Sequence, residues 1–135
     1  MIQLDSSFLI DFHNELRAER PGAALEFLES LDGNEVLAVS VHVAAELRVG
    51  AELAPRPLQE HEAVDDLLSG LLVLYPDSRF APMYGRVWAA TNGRGRAVAS
   101  MDLLIATAAL LEDAPLVTRN AKDFSRVPGL RVLEY

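Results

Sequence analysis

The chain has 135 residues, half of them apolar, a formal net charge of −8 and no cysteine. That length and apolar content fit one domain spanning residues 1–135 with a real core and exclude a disordered chain, while the lack of cysteine excludes disulfides and thiolate zinc sites and fits a reducing compartment. No apolar run is long enough to span a bilayer and the first basic residue is Arg17, so neither a membrane anchor nor a charged leader is expected, and the cytoplasm is the expected location.

Residues 1–4 form a short apolar strand ending at Asp5-Ser6-Ser7, an acidic-hydroxyl run able to cap a helix that begins near Phe8. Pro21-Gly22 breaks the chain, and residues 23–31 then place Leu25, Leu28 and Leu31 at helical spacing with Glu26 and Glu29 outside. Asp32-Gly33-Asn34 closes that helix. Residues 36–39 read as a second strand, followed by a helix over Val41–Leu53 that Pro55-Arg56-Pro57 ends. Another amphipathic helix covers 58–69, a short strand 71–75 and a further helix Phe80–Asn92. After it comes the basic loop Gly93-Arg94-Gly95-Arg96. Residues 101–112 are almost without a polar face, which predicts a buried helix with Ser100 as its N-cap and Asp102 in its first turn. Leu116-Val117-Thr118 is a buried strand leading to Asn120 and Asp123 in a loop, and 130–135 is a β-like tail suited to a sheet edge.

This order of strands and helices predicts an α/β fold, a mostly parallel central sheet of four to five strands flanked by helices. Ligands of such sheets gather at the carboxyl ends of the strands. Asp5 and Asp123 follow strands there, and the helices carrying Glu46 and Asp102 follow turns that bring their early residues to the same edge. Asp5, Asp102 and Asp123 each also have an ordinary reading as helix-end acids. Glu46 does not, because on a helical wheel it lies between Val43, Leu47 and Gly50, with no basic residue one turn away. Burying an isolated carboxylate costs several kcal/mol unless something compensates it.

Four carboxylates repel one another unless divalent cations bridge them, and hard oxygen donors select Mg2+ or Mn2+. His13, His42 and His61 lack ligand spacing and are given no role. Two such ions can activate a water and stabilise the leaving oxygen of a phosphodiester. A charge of −8 argues against a nucleic-acid partner when taken alone. Two divalent ions halve it, however, and eleven of the twelve basic residues are arginine, the residue suited to bidentate phosphate contacts.

LDSSFLID at residues 4–11, AAELRVG at 44–50, SMDLLIATAAL at 100–110 and TRNAKDFSRVPGL at 118–130 together resemble the PIN-domain ribonucleases of the VapC toxin type, in that family's order and over nearly the whole chain. The resemblance implies an endoribonuclease, the toxin of a type II toxin–antitoxin pair, that uses Mg2+ or Mn2+. It implies RNA as substrate, a separately encoded antitoxin and a second copy of the chain as candidate partners, and no membrane. Carried over by position, it makes Asp5, Glu46, Asp102 and Asp123 the catalytic, metal-holding acids, with Ser6, Thr118 and Asn120 as polar support. Either Asp123 or Asn120 completes the last position. It also implies an antitoxin segment covering helices 23–31 and 58–69 and reaching the acids. Arg94 and Arg96 are the expected phosphate contacts, since glycines let their loop fold onto a substrate backbone. A phosphoacceptor receiver domain is the less fitting alternative, because it needs an acidic pair after the first strand and this chain has one acid there. The other alternative, a catalytically idle PIN-like binding module, does not require the four acids that are present.

Overall fold

Ile2, Gln3 and Leu4 are all buried, as a strand covered by helices on both faces requires. In the computed structural model, which describes residues 1–93, 95 and 97–135, these three residues form β1. The other strands are β2 Leu37–Ser40, β3 Leu72–Leu74, β4 Leu116–Val117 and β5 Val132–Leu133. They make one sheet of order β3-β2-β1-β4-β5, and each neighbouring pair is parallel. The helices are α1 Ser6–Ala18, α2 Ala23–Ser30, α3 Val41–Leu53, α4 Pro57–Ser69, α5 Phe80–Asn92, α6 Ser100–Leu111 and α7 Ala121–Phe124. The expected parallel α/β sheet is therefore present, with five strands and the tail at one edge.

α6 is the innermost helix. Leu103, Ile105, Ala106, Thr107, Ala108 and Ala109 are all buried, so small residues let it lie close to its neighbours while Leu103 and Ile105 fill the core. The buried Gln3 amide ties β1 to it, donating to the Ala108 carbonyl at 3.0 Å. Around them Phe8, Leu9, Val39, Val43, Leu116, Val117 and Phe124 are almost wholly enclosed.

Besides the edge-on contact of Phe8 with Phe27, one polar side chain ties α1 to α2. Gly22, at the N-cap of α2, has no side chain to offer, and the Glu15 carboxylate takes its place, accepting the N–H groups of Gly22, Ala24 and Leu25 at 2.9–3.1 Å. A negative charge at a helix N-terminus also complements its dipole. A Cβ at position 22 would meet Glu15 Oε1 at 2.6 Å, so any larger residue here displaces the capping carboxylate. Glu15→Gln replaces one accepting oxygen by an NH2 group and removes the charge. It is expected to cost about 1–2 kcal/mol, read as a lowered denaturation midpoint at unchanged m-value.

Several expected boundaries shift. α1 begins at Ser6 rather than near Phe8, with Asp5 in the N-cap position but its side chain turned elsewhere. Ser100 is the first residue of α6, not its cap: the Leu103 N–H bonds the Ala99 carbonyl, which moves Asp102 to the third helical position. Residues 121–124, expected as loop, form the one-turn helix α7, because burial of Phe124 draws the turn onto the core. Arg94 and Arg96 lie outside the described residues.

Candidate active site

The strand order runs outward from β1 to β2 and β3 on one side and to β4 and β5 on the other, so the topology reverses between β1 and β4. At such a point the connections diverge and leave a crevice at the carboxyl ends of the strands. Asp5 follows β1 there and Thr118 follows β4. Asp5 is only 5 % exposed, and its Oδ2 accepts the Thr118 hydroxyl at 2.7 Å and the Ser7 hydroxyl at 2.9 Å. An ionised carboxylate can only accept, and the backbone leaves both hydroxyls free to donate to it. Ser7 Oγ accepts the Arg119 N–H at 3.1 Å and Thr118 Oγ1 accepts the Asn120 N–H at 2.9 Å, leaving each hydroxyl proton for the carboxylate. Among the described residues Oδ1 of Asp5 receives no hydrogen bond.

α3 is started by Ser40, whose hydroxyl accepts the Val43 N–H at 3.3 Å, and it buries Val43 and Leu47. Glu46 lies between these on the wheel and turns inward as expected. The Ser6 hydroxyl donates to its Oε2 at 3.3 Å, while Oε1 is buried without a partner among the described residues. Burial raises the Glu46 pKa above the ordinary glutamate value; the charges of Asp5 and Asp102 raise it further, against a smaller opposing effect of the Ser6 hydrogen bond. Asp102 is pushed from the ordinary value of 3.8 to about 6, first by burial, then by Asp5 and Asp123. Asp123 sits on α7 beside the anchored Phe124, its Oδ2 accepting the Asn120 amide at 3.2 Å and its Oδ1 lying 3.6 Å from Arg126.

All four expected acids thus lie at one edge, close enough to perturb one another in series from Asp123 through Asp102 and Asp5 to Glu46. Ser6, Thr118 and Asn120 each bond one of them. Ser7 was not singled out by the sequence, although its place two residues after Asp5 was a local signal for a hydroxyl reaching back. His61 is engaged by Glu52 and Arg48, and His42 packs on Phe80 with its pKa lowered by burial. Among the described residues no three acidic or histidine side chains stand ready on a single ion position. The donor chemistry nonetheless fits a hard divalent cation: all oxygen, one buried oxygen without a partner, and two carboxyls whose charge is disfavoured by their surroundings.

A pH dependence follows from those shifts. Asp102 and Glu46 have folded-state pKa values above their unfolded ones, so the ion-free folded protein binds more protons than the unfolded chain between them. The stability Asp102 contributes is complete below about pH 4 and is lost as pH rises through about 6, and Glu46 acts in the same direction. Ion-free denaturation midpoints measured across this window are expected to show that fall when compared with Asp102→Asn, in which it shrinks.

A family model described as the PIN domain matches residues 2–130. A protein named Ribonuclease VapC2 from Rickettsia felis is 33% identical over 112 residues, covering 83% of this chain and 84% of that one. Ribonuclease VapC1 from Haemophilus influenzae is 34% identical over 129 residues, covering 95% and 92%. Among solved structures, VapBC2 from Rickettsia felis, bound to a DNA fragment from its promoter, superposes with a TM-score of 0.89 at 30% identity, covering 100% of this chain and 99% of that one.

Proposed function

This chain belongs to the PIN domain family, and from that premise we propose that it is an endoribonuclease dependent on Mg2+ or Mn2+, the toxin of a type II toxin–antitoxin pair. The observation that carries the reading is the buried Glu46 Oε1, without a partner among the described residues, beside Asp5 and Asp102, a set of charges that only a cation or protons can reconcile. Relatives that bear a ribonuclease name over most of the chain support the reaction class.

Asp5, Glu46, Asp102 and Asp123 would hold the ion. When bound it supplies Lewis-acid polarisation of the scissile phosphate and offsets charge on the departing oxygen. The chain itself supplies position. Ser7 and Thr118 fix Asp5, Ser6 steadies Glu46 and Asn120 steadies Asp123, so these three carboxylates are oriented before any ligand arrives. Asp102 keeps a proton on its carboxyl in mildly acidic solution and gives it up when a cation is taken in, which makes cation affinity rise with pH toward neutrality.

An apolar groove between α1, α2 and α4 suits an antitoxin segment. One part, of about 520 Å3, is lined by Phe12, Leu16, Leu28 and Leu67. The adjoining part, of about 300 Å3, shares His13, Arg17, Ala63 and Leu67 with the first and reaches Ser6 and Glu46. An occupant of the groove can therefore touch the acid cluster. Incubating the purified protein with total RNA, with and without Mg2+ and with and without its antitoxin, tests the whole reading. Discrete products that need the ion and disappear with the antitoxin are expected; RNA left intact under every condition would refute the activity.

A further inference from the structure

α1 carries a second carboxylate whose oxygens are both taken by residues from the far end of the sequence. Asp11 Oδ1 accepts Arg119 Nη1 at 2.6 Å, and Oδ2 accepts the Tyr135 hydroxyl at 2.7 Å. The Asp11 side chain is 24% exposed and that of Arg119 is 63% exposed, so as an ion pair the contact adds little stability. Its geometry is more informative. Ser7 and Asp11 stand one turn apart on the same face of α1, and Arg119 grips both, its backbone N–H on Ser7 Oγ and its guanidinium on Asp11. Tyr135 closes the arrangement from the other side, with its ring edge-on to Phe8 at 4.8 Å. Burial and the neighbouring Asp11 push the Tyr135 pKa well above the usual tyrosine value, so the hydroxyl remains a donor at ordinary pH.

We propose that Asp11 is a positioning residue: by clasping Arg119 and Tyr135 it sets the backbone that follows β4, so that the Ser7 and Thr118 hydroxyls converge on Asp5 Oδ2 and leave Oδ1 as the atom offered to a cation. This rests on the reading of the acid cluster as a cation site. The hydrogen bonds of the Asp11 carboxylate go to Arg119 and Tyr135 and not to the four acids; it acts through Arg119 and Ser7.

The test is a double-mutant cycle read by Mn2+ calorimetry on wild type, Asp11→Ala, Ser7→Ala and the double variant, with amide hydrogen exchange at Arg119 measured on the ion-free proteins. Asp11→Ala is expected to weaken Mn2+ binding by about tenfold, the scale for losing a partner that orients a ligand, and to speed exchange at the Arg119 amide. In the Ser7→Ala background the same change is expected to cost less than about twofold, because the path through Ser7 is already cut. Tyr135→Phe keeps the ring on Phe8 and hence the fold, and is expected to weaken Mn2+ binding less, in the same direction. Losses that multiply in the double variant, or Mn2+ affinity unchanged in both Asp11→Ala and Tyr135→Phe while wild type binds, overturn the clasp alone. No Mn2+ uptake by wild type overturns the cation-site reading and the clasp with it.

Discussion

Asp102→Asn is expected to lower RNA cleavage by at least about a hundredfold, since changing only a partner that orients a ligand costs up to that much and this change removes a charge of the proposed ligand set itself. The substitution keeps the size and polarity of the side chain at the start of α6, where no side chain caps the helix in any case. What it removes is a charge opposed by burial and by both flanking acids. The ion-free variant is therefore expected to melt at the same temperature as wild type or higher at neutral pH, and the difference should close near pH 4, where wild-type Asp102 is protonated. Loss of activity with a retained or raised melting temperature separates a ligand from a structural residue. Cleavage at the wild-type rate would remove Asp102 from the site.

The second large effect is thermal. A cation that binds the folded cluster and not the unfolded chain stabilises by mass action, about 2.7 kcal/mol at a hundredfold excess over its dissociation constant. For a chain of this size that is a melting shift of several degrees or more. Glu46→Gln should blunt the shift, because it exchanges a buried carboxylate oxygen that lacks a partner among the described residues for a group with less charge to offer. The wild-type shift should also fade in mildly acidic buffer, where protons compete for Glu46 and Asp102. Equal shifts in wild type and Glu46→Gln, measured by scanning calorimetry with Mg2+ and then Mn2+, would show that Glu46 holds no ion.

Much of this was legible from residue order. α3 and α5 occupy the expected spans because their punctuation is strong: Pro55 and Pro57 end the first, and a helical run of thirteen residues defines the second. Asp5, Asp102 and Asp123 were legible because each follows a strand or stands in the first turn of a helix, points that a parallel sheet gathers at one edge, and Glu46 because it lies on the apolar arc of α3. α7 was not, since four residues hold barely one helical turn and no periodicity can announce it. Ser7 was passed over in favour of Ser6. Successive helical side chains point about 100° apart, so Ser6 turns to Glu46 while Ser7 turns to Asp5 and Thr118. The clasp of Asp11 with Arg119 and Tyr135 joins residues 108 and 124 apart, a separation that leaves no local trace in a single sequence.

The hydrogen bond from Thr118 to Asp5 joins residues 113 positions apart, and that from Arg119 to Ser7 spans 112. Contacts of such separation are the slow part of folding, because the entropy of closing the intervening chain must be overcome before they return anything. During synthesis the N-terminal part leaves the ribosome first, so Asp5 and Glu46 are present early while the strand that supports Asp5 does not yet exist. Helices can form in that interval, but the acid cluster cannot assemble until β4 docks beside β1. An acid cluster laid out in this way stays unmade until residues as far along as Thr118 and Arg119 have left the RNA-rich machine that produced them.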